Sequence, residues 1–275
     1  MDNQTEVVNK KKTNKLVIVI ILLVIVILGL VGYICYDKGV FYSKKATTSN
    51  TSKKENKDKH NSKEESVTFS DSELEEYVSY IKPVSIGPSE LLYNTDSVNS
   101  ENLSMDKKIE YIGSYLYGMH TTSSDYKYDI IKEADVKNAV EKIYGPNVYQ
   151  KTTFNLGCAD YNLNENDNNY YSATGCGGTT TTMVSNEVVS YNATKTKLEI
   201  TTKYVLLDGM ENKLYKDYDK TISVGEYTEN GDSNEITSYL KEFIKNNKDK
   251  LNSIVYTFES DDGVNYYFKG FINNK

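Results

Sequence analysis

Arginine and tryptophan are absent from this chain of 275 residues, and all of its 32 basic residues are lysine. A surface without arginine lacks the planar guanidinium group that makes bidentate contacts with guanine, phosphate and carboxylate groups. We therefore do not expect the chain to read a nucleic-acid sequence.

Motifs that carry catalytic or metal chemistry are also missing. The chain has three cysteines and two histidines, but no C-x-x-C pair, no H-E-x-x-H pair and no G-x-S-x-G nucleophile motif. His120 has no second histidine near it in the sequence, so a zinc site with the cysteines is weakly supported, as is a Cys–His nucleophile pair. The sequence therefore predicts no catalytic, cofactor-binding or metal-ligating residue, and no cofactor.

Charge is distributed unevenly along the chain. Residues 1–69 contain 12 lysines and 7 acidic residues, a net charge of +5, whereas residues 70–275 contain 20 lysines and 32 acidic residues, a net charge of −12. An acidic domain is soluble and repels polyanions at long range. Because affinity for nucleic acid comes mainly from neutralising phosphates, we expect no nucleic-acid partner.

Residues 16–36 form an uncharged run, LVIVIILLVIVILGLVGYICY. As a helix, this run is roughly 32 Å long, against a bilayer hydrocarbon core of about 30 Å. It is longer than the apolar part of a cleaved secretory signal, and no small-residue cleavage pattern follows it. The sequence therefore predicts a single transmembrane helix, a signal-anchor whose partner is the lipid bilayer, rather than a buried core helix.

Orientation follows from the flanking lysines. Residues 1–15 carry a tight lysine cluster next to the apolar run, which favours a short cytoplasmic tail and a C-terminal domain outside the cytoplasm. The opposite flank also carries lysines, so an inward-facing regulatory domain is the alternative. We expect a single-pass protein of a bacterial cell membrane.

Residues 37–69 are predicted to be a polar linker. Within them, residues 43–66 contain Ala46 as the only apolar residue, so this stretch cannot bury enough surface to order itself. Its net charge of +3 could bind anionic lipid headgroups or an anionic wall polymer, although a solvated spacer is the simpler interpretation.

Residues 70–275 are predicted to form an α+β domain that opens with helices. Ser70 with Glu73, Ser72 with Glu75, and Asp232 with Glu235 fit the capping box that starts a helix, and Gly145 ends another. Apolar residues recur at helical spacing at Leu74, Val78 and Ile81, at Ile109, Ile112, Leu116 and Met119, at Val136, Val140 and Ile143, and at Ile236, Leu240 and Ile244.

Strand patterns begin near residue 147. Leu198, Ile200 and Thr202 alternate with polar residues, and the pair Asp262-Gly263 predicts a hairpin with a type I′ turn near the C-terminus. The domain is thus expected to contain helices followed by an antiparallel sheet of five to seven strands, with one late covering helix. A curved sheet holding helices, as in cystatin-like or NTF2-like folds, suits this order by analogy only.

Cys158 and Cys176 are the candidate disulfide pair. They are 18 residues apart in similar settings, Leu-Gly-Cys-Ala and Thr-Gly-Cys-Gly. Outside the cell, a bridge between them would close the loop and contribute about 3 kcal/mol in the chain-entropy model. Two free thiols are the alternative.

Two further patterns resemble ligand sites but lack the residues that such sites need. Residues 160–167 resemble the start of a calcium loop, but Glu165 replaces the required glycine, and a solvated connection is the better interpretation. Gly175, Gly177 and Gly178 precede threonines rather than the Lys-Ser or Lys-Thr of a phosphate loop, which favours a turn.

Tyrosine is abundant, with 25 residues. The tyrosines could line a carbohydrate or peptide surface, since each brings apolar area and a hydroxyl group, but we interpret most of them as structural. The seven candidates for such a surface are Tyr111, Tyr115, Tyr117, Tyr170, Tyr171, Tyr266 and Tyr267.

The function expected from these features is non-catalytic: binding of an unknown protein or other ligand, envelope assembly or sensing by a membrane-tethered domain. The alternative is a membrane-tethered surface hydrolase whose two carboxylates lie far apart in sequence. Two carboxylates about 5–10 Å apart in a groove would favour the hydrolase.

Overall fold

The computed structural model describes residues 65–173, 180–228 and 232–275, and this part of the chain contains six α-helices. They are α1 (Asp71–Tyr80), α2 (Glu90–Tyr93), α3 (Met105–Tyr111), α4 (Gly113–Tyr117), α5 (Glu133–Tyr144) and α6 (Ser233–Asn247). Short 3-10 turns at Ser100–Asn102 and Lys248–Lys250 accompany them. Helices and antiparallel strands together confirm the predicted α+β class.

Twelve strands of the described residues form two antiparallel sheets. The larger sheet has seven strands: β1 (Ser97–Asn99), β7 (Thr182–Ala193), β8 (Lys197–Asp208), β9 (Lys213–Tyr215), β10 (Ser223–Glu226), β11 (Ser253–Glu259) and β12 (Tyr267–Asn274). The smaller sheet has five: β2 (Thr121–Thr122), β3 (Tyr128–Lys132), β4 (Phe154–Leu156), β5 (Ala159–Asn164) and β6 (Asn169–Ala173). The larger sheet has the predicted number of strands, but the sequence predicted no second sheet. The predicted order of helices followed by strands is wrong, because β1, β2 and β3 precede residue 147 and alternate with the helices.

Strand β8 lies at the centre of the larger sheet. It pairs along one side with β7, from Ala193 opposite Leu198 to Thr182 opposite Asp208. Its other side pairs first with β11 and then with β9. Every part of β8 therefore has a hydrogen-bonded neighbour, which satisfies the backbone polar groups of a buried strand.

Both faces of β8 are covered by apolar side chains. Tyr204 and Leu206 belong to the main core, whereas Val205 and Leu207 belong to a second core cluster on the other face. Helix α6 closes this second cluster with Leu240 and Ile244. Burial on both faces explains why residues 204–207 are apolar without alternation, and α6 is the predicted late covering helix.

The capping boxes predicted at Ser70 and Asp232 are confirmed, whereas Ser72 lies inside α1 and does not cap it. The Ser70 hydroxyl accepts the amide of Glu73, whose carboxylate accepts the amide of Ser70 at 2.8 Å. The Asp232 carboxylate accepts the amides of Asn234 and Glu235, at 2.8 and 3.0 Å. Helix α5 ends at Gly145, whose positive φ of 112° suits a residue without Cβ.

One predicted helix is divided into two. The apolar spacing from Ile109 to Met119 indicated a continuous helix, but α3 ends at Tyr111 and α4 begins at Gly113. At Gly113 an added Cβ would lie 3.1 Å from the Val84 amide nitrogen, so the backbone of residue 84 approaches α4 closely at the break. Local periodicity does not report such a tertiary contact.

The predicted type I′ turn at Asp262-Gly263 is wrong. Gly263 has a positive φ of 71°, but Asp262 is not among the residues with positive φ, which a type I′ turn requires at both positions. The connection instead spans residues 260–266, and the Asp262 carboxylate accepts the amides of Asn265 and Val264, both at 2.8 Å. These hydrogen bonds hold the pKa of Asp262 well below its usual range.

The ordered contacts of the domain begin before residue 70. The Val67 amide donates to the Ala193 carbonyl at 3.1 Å, and Phe69 is buried in the main core. Glu65 forms an ion pair with Lys195. The chain thus reaches the larger sheet at the turn that joins β7 to β8.

Several predicted features lie outside the described residues: residues 1–15, the apolar run 16–36, residues 37–64 of the linker, Cys176 and the glycines at 175, 177 and 178. Within residues 65–173, 180–228 and 232–275, no helix has the length and apolar character needed to cross a membrane.

Lys220 links the start of β7 to the end of β8. Its ammonium group donates to the Asp208 carboxylate at 2.5 Å and to the Thr182 hydroxyl at 2.7 Å. The Lys220 hydrogen bond and then the Met210 amide lower the pKa of Asp208. This contact stabilises the end of the larger sheet where β9 also pairs.

Replacing Ile244 with alanine should lower the free energy of unfolding by about 2–4 kcal/mol, because the change leaves a cavity between α6 and the larger sheet. Ile222→Ala is the matched control, since Ile222 is 48% exposed and Ile244 is 0% exposed. Urea unfolding measures both. Equal losses in the two variants would contradict the assigned role of α6.

Asp208→Asn should lower the free energy of unfolding by about 1 kcal/mol at pH 7. The pKa of Asp208 is lower in the folded state than in the unfolded state. The stability that Asp208 contributes is therefore complete above its unfolded pKa of about 3.9, and it is lost as the pH falls through its pKa in the folded state. Urea unfolding should therefore show a lower free energy of unfolding for Asp208→Asn than for the parent at pH 7, and no such difference near pH 2. Asp219→Asn is the control, since Asp219 is exposed in the connection between β9 and β10, next to Lys220. A difference for Asp208→Asn that persists near pH 2 would contradict the prediction.

Candidate functional site

A cavity of about 580 Å³ lies beside the smaller sheet. Its volume falls within the range of roughly 300–1,000 Å³ that is typical of small-molecule sites. The lining residues come from five separate segments: Val84, Ser85 and Ile86; Tyr117; Asp129; Leu156, Gly157, Cys158 and Ala159; and Ala173.

The β4–β5 hairpin forms one wall of the cavity. Leu156 pairs with Ala159 across a two-residue turn, Gly157-Cys158, in which Gly157 has a φ of 71°. A Cβ at Gly157 would lie 3.2 Å from Val84 Cγ1, so glycine is needed for both the turn and the close approach of the facing segment.

Asp129 is the one carboxylate among the described lining residues. It lies on β3, opposite Thr122 of β2, and its Oδ1 accepts the Thr122 hydroxyl at 3.1 Å. Among the described residues, no lysine forms an ion pair with Asp129. An ionised carboxylate has about four acceptor positions, so Asp129 retains most of its capacity for donors.

Tyr161 carries a buried hydroxyl group on β5, next to the cavity wall. Its side chain is 0% exposed, stacks on Phe154 at 5.3 Å, and its hydroxyl has no hydrogen-bond partner among the described residues. Burial, followed by the charge of Asp129 and then by Tyr117, raises the pKa of Tyr161 well above its usual range. Tyr161 follows Ala159 by two residues on β5, so both side chains lie on the cavity face of the strand.

Tyr117 contributes an aromatic ring that is 42% exposed. The His120 ring stacks on it at 4.2 Å, and His120 Nδ1 lies 2.5 Å from the Tyr117 carbonyl oxygen. His120 is therefore held by its own turn, which gives a Cys158–His120 nucleophile pair no support.

Cys158 lies in the cavity wall, and Cys176 lies outside the described residues. The structure thus adds a location for one candidate cysteine, and the disulfide between the two stays a prediction.

The predicted solvated connection at residues 160–167 is wrong for most of its length. Residues 159–164 form β5, and only residues 165–168 form the turn into β6. The sequence does contain a strand pattern here, because Tyr161 and Leu163 alternate with polar residues. In the described part of the chain, no cluster of three or more candidate metal ligands occurs.

Most of the tyrosines singled out in the sequence are structural. Tyr111, Tyr170 and Tyr266 are buried in the main core, as predicted. The hydroxyl groups of Tyr149 and Tyr170 form a hydrogen bond of 2.8 Å. Tyr171 instead lies against Tyr128, with ring centroids 6.1 Å apart and the rings nearly perpendicular.

A second cavity, of about 250 Å³, lies between α1, β7 and α6. Its lining includes Glu187 and Lys241, whose charged groups are 3.4 Å apart and satisfy each other. The larger cavity is the better candidate for ligand binding, because its carboxylate has no such partner among the described residues.

Tyr161→Phe should leave the free energy of unfolding unchanged or raise it slightly, because the change removes a buried hydroxyl without a partner. Tyr149→Phe is the matched control and should cost about 1 kcal/mol, since it leaves the Tyr170 hydroxyl unpaired. Urea unfolding compares the two variants. A loss for Tyr161→Phe as large as that of the control would mean that the Tyr161 hydroxyl has a stabilising partner.

Comparison with known proteins assigns no family to the chain: no protein-family model, curated protein or solved structure matches it. The likeness to cystatin-like and NTF2-like folds therefore remains an analogy of element order.

Proposed function

We propose that this protein is anchored in the cell membrane by residues 16–36 and that its α+β domain binds a ligand outside the cytoplasm without converting it. Residues 1–15 form the cytoplasmic tail and residues 37–69 the linker in this proposal. The observation that carries the binding role is the 580 Å³ cavity, whose described lining combines apolar side chains with the Tyr117 ring and one carboxylate, that of Asp129.

The cavity and the place where the chain enters the larger sheet lie near opposite ends of β7. The chain reaches the larger sheet at the end of β7, where Val67 bonds to Ala193. The cavity segment 84–86 continues to Gly87, where an added Cβ would contact Thr180 at 3.0 Å, just before β7 begins. The 12 residues of β7 separate these two places by roughly 35 Å.

The lining favours a binding domain over the hydrolase alternative. Hydrolysis of a glycosidic bond by two carboxylates needs them about 5–10 Å apart. The described lining residues supply Asp129 alone, with no second carboxylate and no nucleophile–base pair. One carboxylate in a largely apolar cavity is suited to holding and orienting a ligand.

The candidate disulfide fits the same proposal. Cys158 lies in the turn that forms the cavity wall, so a bridge to Cys176 would fix that wall. Such bridges persist in oxidising compartments, which an extracytoplasmic domain would occupy.

Protease treatment of intact cells tests the topology. The full-length protein should sediment with membranes, be released by detergent, and lose its C-terminal domain to protease added outside intact cells. The same protease on lysed cells is the positive control, and a cytoplasmic protein reports on leakage. Survival of the domain on intact cells, with digestion after lysis, would contradict external placement.

Two variants test the anchor within the same experiment. Leu23→Lys with Ile27→Lys places two charges in the middle of the run, at about 2.5–3.5 kcal/mol each, and should reduce the membrane-bound fraction. Leu23→Ile with Ile27→Leu keeps the run apolar and should behave like the parent.

A further inference from the structure

We propose that the free edge of β7 binds an extended segment of a partner protein, which adds to the larger sheet as a further strand. The site is the second cavity, of about 250 Å³, which lies along this edge between α1 and α6. It is separate from the larger cavity, so this inference goes beyond the ligand binding proposed above.

Strand β7 is an edge strand with little protection. Within the described residues it forms a ladder with β8 alone, and it has 12 residues, whereas the other edge strands, β1, β2, β4 and β10, have two to four. Glu187 is its only charged residue, and it contains no proline. Charges and prolines are what keep most long edges from pairing with other chains.

The register shows which backbone groups of β7 face the free edge. The Gly209 amide donates to the Thr181 carbonyl at 2.8 Å, so these two residues form a hydrogen-bonded pair that continues the register of the β7–β8 ladder. Because such pairs occur at every second residue of an antiparallel ladder, the even-numbered residues direct their amide and carbonyl groups away from β8. Among the described residues, no backbone partner occurs for three of them: Val184, Asn186 and Val188.

The same three residues line the second cavity. Val184 and Val188 pack against the main core, the side on which α1 lies, whereas α6 covers the other face of β7. The cavity is therefore a groove along the strand edge with one helix on each side. An added strand would place alternate side chains against the two helices.

The two walls of the groove differ in polarity. Val78 and Ile81 give the α1 side an apolar surface, whereas Glu187 and Lys241 form an ion pair of 3.4 Å on the α6 side. The groove thus suits a segment that alternates apolar and polar residues. Because the charges on the α6 side satisfy each other, the segment needs no net charge.

A buried acceptor in the groove adds to the open backbone groups. Asn186 Oδ1 is buried and has no hydrogen-bond partner among the described residues. A buried acceptor without a donor is destabilising, and an N–H group of an added segment can supply the donor. Backbone hydrogen bonds give such strand addition its affinity, and the side chains give it specificity.

The other end of the same edge already binds a short extended segment of this chain. The Val67 amide donates to the Ala193 carbonyl at 3.1 Å, and Ser66 forms an antiparallel bridge with Thr194. After Phe69 the chain leaves the edge to form α1, and the edge beyond that point stays open.

This pairing argues against the linker as the occupant. Because Ser66 and Val67 run antiparallel to β7, the residues that precede them lead away from the groove. A second copy of the chain would bring its own α1 and α6 to the same edge, whereas a single extended segment needs only the width of one strand. The occupant that fits is therefore a segment of another protein.

The neutral, alternating peptide Ac-Thr-Val-Thr-Val-Thr-NH2 is the probe. It is titrated into the full-length protein in detergent, and backbone amide exchange is followed by NMR. We expect saturable binding with a Kd of about 0.1–1 mM, as suits a short peptide that must be ordered. With the peptide at about ten times its Kd, exchange of the Val184, Asn186 and Val188 amides should slow about tenfold. The Ser185 and Glu187 amides, which bond to β8, should not change.

Two matched pairs test whether backbone pairing carries the binding. The same peptide with N-methyl groups on two adjacent residues has one blocked amide on each edge, and it should bind at least about tenfold more weakly. Val184→Pro removes an outward amide without a bond to β8 and should weaken binding at least about fivefold. Val184→Ala trims the same side chain but keeps the amide, and it should change the affinity less than about threefold.

Three outcomes would overturn the inference. They are no binding of the peptide, equal binding of the N-methylated peptide, and a free protein that sediments as a dimer with the three outward amides already protected. The last result would assign the edge to a second copy. If Val184→Pro does not fold, the comparison of the two peptides on the parent protein still decides.

Discussion

The pairing of β8 on both sides is the constraint on which the rest of the domain depends. One strand of 12 residues aligns β7 on one edge and β11 and β9 on the other, and it presents buried side chains to two separate cores. Because its backbone groups are satisfied within the sheet, the strand can be buried on both faces without an unpaired polar group. The helices of the first part of the chain can then cover one face, and α6 covers the other.

The smaller sheet differs from the larger one, because only one of its faces is fully packed. Tyr170 and Tyr161 are buried on the inner face, whereas Asp160 lies exposed on the outer face. At the margin of that inner face, the Tyr161 hydroxyl stays buried without a partner among the described residues. Phenylalanine would fill the same space without this polar group.

The sequence predicted those parts of the fold that local chemistry determines. Capping at Ser70 and Asp232, the glycine after α5 and the alternation of β8 act within a few residues, so they are visible in the sequence. The smaller sheet was missed because its strands are short and its outer face is rich in asparagine, which resembles a loop. The cavity was not predictable at all, since its five lining segments come together only through tertiary packing. Two of its lining residues, Tyr117 and Cys158, were singled out beforehand, and both were chosen for their chemistry rather than their position.

The membrane anchor and the cavity are independent, and the argument for each stands without the other. Residues 16–36 predict an anchor through their length and apolar character, which no contact of the folded domain influences. The cavity depends on residues 84–173, whose packing is fixed by the two sheets whatever the location of the chain. The lining of the cavity is therefore a property of the folded domain, and the anchor decides only on which side of the membrane a ligand would be met.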